Sequence, residues 1–267
     1  MISAENAIRA LRRDLTISSF LKYSLLGLGL ICLLFGPIFG SGFSLTMIIL
    51  LVGGIWLLLS YRSAKGSSLA ADSPLLIASG QFDEAEEHIE QVLRSFSLFR
   101  AVKLLSLHHL AVLRHAQRRW RESALLSRAL LHQRLGSLQS LGRSNQLMLA
   151  DSLLELGDLA GAHEALSGLY RERLTLGEAM NLLVVQLDYE SRISAWGAMT
   201  KNMVAKVQLA ELMSAPSAGK TQAFLALAAM KQGRVDWAKW LAARTALLVD
   251  VNALVAERPV LGEVLRA

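Results

Sequence analysis

Ser214-Ala215-Pro216-Ser217-Ala218-Gly219-Lys220-Thr221 ends in the Gly-Lys-Thr of a phosphate-binding loop. In that motif the glycines let backbone N–H groups cradle phosphates and the lysine reaches the terminal ones. Here Ser214 replaces the first glycine, residues 207–213 read as the end of a helix, and no strand–loop–helix pattern encloses the motif. The expectation is an inter-repeat turn that opens a helix. A nucleotide-handling enzyme using Lys220 and Thr221 is the alternative.

His108, His109 and His115 raise a metal question, because positions i and i+7 share a helical face. Zinc sites more often use i, i+4 pairs or thiolates. No cysteine or carboxylate joins these histidines, and Arg114, Arg118 and Arg119 would repel a cation. His88, His132 and His163 are isolated, Cys32 is the single cysteine, and no nucleophile–base arrangement can be read from the spacing. No catalytic residue, metal or cofactor is expected, and the chain reads as non-enzymatic.

Charge is more informative. The chain carries a net +6, and between positions 100 and 134 eight basic residues face one acid, Glu122. They are Arg100, Lys103, Arg114, Arg118, Arg119, Arg121, Arg128 and Arg134; Asp83, Glu84, Glu86, Glu87 and Glu90 precede them. Either these neighbouring helices pair across a shared seam, or the basic stretch lies against anionic lipid headgroups.

The elements that must position these groups follow from hydropathy. The chain has 267 residues, 53% of them apolar, with a mean hydropathy of +0.38. The 39 residues from Tyr23 to Tyr61 contain no charged residue or histidine. One helix of that length would run about 58 Å, nearly twice the roughly 30 Å of a hydrocarbon core. Two membrane spans, 20–39 and 43–61, are therefore expected, broken at Gly36-Pro37 and Gly40-Ser41-Gly42. Gly27, Gly29, Gly53 and Gly54 would let the two helices approach closely. Basic residues on both flanks put both termini on the cytoplasmic side of a bacterial inner membrane. Residues 1–19 form a cytoplasmic segment with Ala4, Ile8, Leu11 and Leu15 on one helical face. A linker is expected at 62–73.

Beyond it the pattern is helical, with Ser73 as cap and Pro74 at a first helical position. Leu-Ala pairs recur at 110–111, 149–150 and 225–226, with Leu187-Asp188 in a fourth place, at spacings of 39, 38 and 38. Eight residues after each leucine a turn is expected, at Arg118, Gly157, Ala195 and Gly233, and small residues follow at Ser123, Ala162 and Ala238. The fold class is all-α: a transmembrane hairpin, an α-solenoid of about five helix-turn-helix repeats over 74–250, and a cap at 251–267.

The repeats resemble the tetratricopeptide family, best over Gly80–Leu93 and Gly157–Leu169, although the spacing exceeds that family's usual 34. The hairpin-plus-array layout is similar to the HemY-type bacterial membrane proteins, without a shared motif. The resemblance implies a ligand groove along the first helix of each repeat. Its positions here are His108, His109, His115, Ser144, Met148, Ser152, Glu155, Gln186, Tyr189, Arg192, Lys220, Phe224 and Lys231. The function expected from the anchor and the array together is a membrane-anchored scaffold binding a protein or peptide and assembling a membrane complex, or an accessory subunit packing through its hairpin. Nucleic acid and a small-molecule substrate are not expected as partners.

Overall fold

A left-handed backbone residue punctuates the chain at Gly80, Arg118, Gly157, Ser194 and Gly233, with φ of 79°, 59°, 77°, 56° and 73°. Each ends a helix in the same way. The N–H of Gly80 donates to Ile77 O and that of Gln81 to Leu76 O, and the pattern recurs at Arg118/Arg119, Gly157/Asp158, Ser194/Ala195 and Gly233/Arg234. These paired bonds satisfy carbonyls that a helix end leaves without donors, and they reverse the chain within three residues. The expected turns at Arg118, Gly157 and Gly233 stand; the fourth falls one residue before Ala195.

The computed structural model describes residues 2–35, 42–95, 97 and 99–266, and no strand occurs among them. The helices are α1 (Ala4–Phe35), α2 (Gly42–Ala78), α3 (Phe82–Arg94), α4 (Arg100–Ala116), α5 (Trp120–Leu131), α6 (Gln139–Glu155), α7 (Leu159–Leu169), α8 (Leu176–Arg192), α9 (Trp196–Thr200), α10 (Met203–Ala210), α11 (Ala215–Lys231), α12 (Val235–Leu248), α13 (Val251–Glu257) and α14 (Gly262–Leu265). The left-handed turns join α2 to α3, α4 to α5, α6 to α7, α8 to α9 and α11 to α12. Five residues past each turn sit Ala85, Ser123, Ala162, Met199 and Ala238, all buried. Small side chains there let paired helices cross closely. The fourth pair departs: Met199 is large, α9 has 5 residues, and left-handed Asn202 separates it from α10.

Two compact units are present, Met1–Met148 and Leu149–Ala267. In the first, Ala4, Ala7 and Leu11 of α1 join Ile77, Ala85, Ile89, Leu93, Leu104, Leu107 and Leu110 in one core. In the second, α11 is the buried centre: every residue from Ala223 to Ala229 is 0% exposed, with α8, α9, α10, α12 and α14 around it. A helix apolar on all sides is buried on all sides.

The N-terminal part differs from its expectation. Among the described residues no helix is long and apolar enough to cross a membrane. The two-span hairpin, the integral-membrane localisation and the orientation read from flanking charge are therefore corrected. The uncharged stretch is divided between helices that run on into charged sequence. α1 begins at position 4, sixteen residues ahead of the first expected span at 20–39, and carries Arg9, Arg12, Arg13 and Asp14, while α2 continues through Arg62, Lys65 and Asp72. The apolar face expected at Ala4, Ile8, Leu11 and Leu15 is real, and it lies in the first unit's core. A Cβ added at Gly27, Gly29, Gly53 or Gly54 would meet nothing within 4 Å, so these glycines seat no close helix crossing. Gly36-Pro37 and the Gly40-Ser41 part of the expected break lie outside the described residues. Residues 62–73 are helical rather than a linker, and Pro74 stands inside α2.

Candidate functional site

Proline at position 74 has no N–H, so the carbonyl of Ala70, four residues earlier, loses its helical donor. His109 of α4 hydrogen-bonds the backbone of Ala70, and its Nδ1 has no partner, so the ring donates through Nε2. His109 is 7% exposed, and burial, followed by the neighbouring His108, pushes its pKa from 6.5 down to about 4. Burial lowers His108 as well, opposed by a hydrogen bond with Asn145. Both rings are thus neutral packing groups. His115 is elsewhere, edge-on to Trp120 with ring centroids 4.9 Å apart. The three histidines form no common cation site.

The basic stretch does not form one exposed patch. Arg114 is 0% exposed: its two terminal nitrogens donate to Glu86 at 2.8 and 2.9 Å, to Gln117 Oε1 at 2.8 Å and to Ile2 O at 3.0 Å. Glu122 lies 3.2 Å from its Nε and also pairs with Arg119. The hydrogen bond from Arg114 holds the Glu86 carboxyl below its ordinary pKa. Lys103, 1% exposed, has its ammonium 2.7 Å from Asp14 and donates to the carbonyls of Val92, Leu93 and Ser95 at the end of α3. Burial lowers the Lys103 pKa, with Asp14 opposing. Arg100 donates to Gln133 Oε1 at 3.3 Å, while Arg118, Arg121, Arg128 and Arg134 are exposed. The pairing expected between the acidic helix and its basic neighbour is therefore made at Glu86 and Arg114.

In the second unit the groove positions mostly serve the frame. Asp188 fills the place that buried alanines hold at 111, 150 and 226; it is 1% exposed while those are 0%. A carboxylate at such a place must be paired. Arg258, between α13 and α14, lies 2.8 Å from Asp188 Oδ2 and also pairs with Glu155. Arg192 donates to Asp188 Oδ1 at 2.9 Å and to Leu154 O at 2.6 Å. Burial works against the charge of Arg258, and Asp188 and Glu155 outweigh it, raising its pKa. Asp151, Glu155 and Asp188 bring oxygens within 4.8 Å of one another, a spacing that suits a metal. Two guanidinium groups already answer that negative charge.

Lys220 pairs with Glu257 at 3.2 Å and Lys231 with Glu263. Gly219 and Thr221 are buried within α11. A Cβ on Gly219 would meet Val249 Cγ1 at 2.7 Å, and Thr221 Oγ1 donates to Ser217 O at 2.8 Å. The Gly-Lys-Thr sequence is the first turns of a packed helix. Ser152 and Phe224 are buried at 0% exposure, and Met148 packs on the first unit's core. Ser144 is exposed. Gln186 Nε2 donates to Glu190 Oε1 at 2.7 Å, and Tyr189 stacks on His163 with centroids 5.6 Å apart. In the same unit Leu156, Tyr170, Leu176 and Ile193 are 48%, 50%, 58% and 44% exposed. Burial, then Glu190 and Tyr189, push the Tyr170 phenol up to about 12.

Sequence reasoning missed Asp14, Asp188, Glu190 and Arg258. The signal for Asp188 was present, since an acid interrupting a Leu-Ala register needs a cation. No family model, curated protein or solved structure matches this chain. The resemblance to the tetratricopeptide family is therefore corrected to a coarser statement: the chain contains recurring helix-turn-helix pairs spaced 37 to 39 residues apart.

Proposed function

We propose that the chain is a non-enzymatic scaffold of helix pairs that binds a protein or peptide partner, in support of assembling a larger complex. One contrast in the second unit carries this reading. Glu155, Asp188, Arg192 and Arg258 are spent on one another, whereas Leu156, Tyr170, Leu176 and Ile193 of the same unit stay exposed and Tyr189 stacks on His163. Ion pairs of this kind fix a frame. Exposed aromatic and aliphatic groups on a fixed frame are the anchors that concentrate binding energy, about 2 kcal/mol or more each at a hot spot. Leu156 and Ile193 immediately precede the left-handed residues Gly157 and Ser194, so the repeat sets them at equivalent places.

The test is photo-crosslinking from position 189, with the captured partner then measured against variants. Tyr189→Ala and Ile193→Asp are expected to weaken that partner at least tenfold while the melting curve stays unchanged. Full retention of the partner by both variants overturns the reading.

A further inference from the structure

The first unit holds its own N-terminal segment as a ligand is held. Ala4, Ala7 and Leu11, at 4%, 0% and 1% exposure, lie against the core of α3, α4 and α5. Polar clamps close on both ends: Arg114 takes the carbonyl of Ile2 at 3.0 Å, and Lys103 takes the carboxylate of Asp14 at 2.7 Å. Lys103 and Arg114 stand eleven residues apart on α4, about 16 Å at 1.5 Å per residue. Ile2 and Asp14 stand twelve apart, so the segment runs antiparallel to α4 and spans the two clamps in register.

Both clamps keep hydrogen bonds without the segment. Without Asp14, the Lys103 ammonium keeps the carbonyls of Val92 at 3.1 Å, Leu93 at 2.8 Å and Ser95. Without Ile2, Arg114 keeps Glu86 in two hydrogen bonds, Gln117 at 2.8 Å and Glu122 at 3.2 Å. Arg114 thus stays paired with carboxylates when Ile2 leaves, while Lys103 keeps its hydrogen bonds but loses the carboxylate that answers its charge, so the face favours an occupant that brings an acid to it. The apolar surface given up is two alanines and one leucine, with Ile8 and Leu15 partly buried beside them.

We infer that the α3–α5 face is a helix-binding groove that the chain fills with residues 2–15, an autoinhibitory contact. The partner it fits is an amphipathic helix with small residues at i and i+3, leucine at i+7 and an acid at i+10. This goes beyond the surface around Tyr189 and stands on different residues in a different unit, so either can fail alone.

The experiment uses the full chain carrying Ala7→Glu, a labelled peptide of residues 2–16, and hydrogen exchange read by segment. The variant is expected to lose protection over 2–15 while α4 and α5 stay protected. It is expected to bind the peptide at least tenfold more tightly than the unaltered chain does, and an Asp14→Asn peptide at least tenfold more weakly. As a milder variant, Asp14→Asn in the full chain should raise exchange of residues 2–15 about tenfold and leave α4 unchanged. Three results overturn the inference: protection lost together across 2–15 and α4 in both variants, no peptide binding to a chain whose α3–α5 stays protected, or equal binding to the altered and unaltered chains.

Discussion

Acidification should destabilise Met1–Met148 through one imidazole. The His109 pKa falls from 6.5 to about 4 on folding, because burial and then the adjacent His108 disfavour the charged ring. The proton it would take has nowhere to go, since Nδ1 is buried without a partner. Above pH 6.5 both folded and unfolded chains carry neutral imidazole and nothing is lost. Between 6.5 and about 4 the unfolded chain binds a proton that the folded chain refuses, so stability falls as pH falls and then levels off. At roughly 1.4 kcal/mol per pKa unit the full loss is about 3 kcal/mol, of which about 2 kcal/mol is gone by about pH 5. His108 shifts in the same direction and adds to the slope. The assay is urea unfolding at about pH 7 and pH 5, with hydrogen exchange in α4 to localise the loss. His109→Gln is the comparison, since it keeps an N–H donor for the Ala70 carbonyl and does not titrate. The unaltered chain should lose about 2 kcal/mol more than this variant over that range. Equal losses, or a His109 ring that titrates near 6.5 in the folded chain, would refute the reasoning.

Three further outcomes are expected. Arg258→Met leaves Asp188, whose side chain is 2% exposed, with one cation in place of two; the cost should be about 3–5 kcal/mol by chemical denaturation, partly recovered by adding Asp188→Ala. Ser194→Gly relieves a left-handed residue with φ of 56° and should stabilise by about 1 kcal/mol, read as a raised melting temperature, while Gly157→Ala should lose a similar amount. Gly219→Ala places a Cβ 2.7 Å from Val249 Cγ1 and should destabilise by about 1–3 kcal/mol, with Val249→Ala restoring most of it.

The recurrence of helix pairs was legible in the chain because it rests on local rules. Leucine and small-residue spacing follows the helical period, and the left-handed turn residues at 80, 157 and 233 are glycines, which adopt that backbone at no steric cost. The sequence also told correctly that Gly-Lys-Thr at 219–221 opens a helix, since no strand pattern precedes it. The fourth turn was misplaced by one residue because Ser194 adopts positive φ without glycine to mark it.

Other features depend on what lies across a helix seam, and spacing carries no information about that. Arg114 and Lys103 look like members of a surface patch until Glu86, Asp14 and three carbonyls of α3 are brought against them. His109 looks like a groove residue until Pro74 strips the donor from Ala70. Asp188 and Arg258 lie 70 positions apart in the chain and 2.8 Å apart in the fold. The long uncharged stretch shows the same limit, since hydropathy measures how apolar a segment is and not where its flanking helices are held. Local periodicity is written in neighbours along the chain and so can be read from one strand of text. The partner of a buried charge is chosen by packing, and only the folded arrangement of helices decides it.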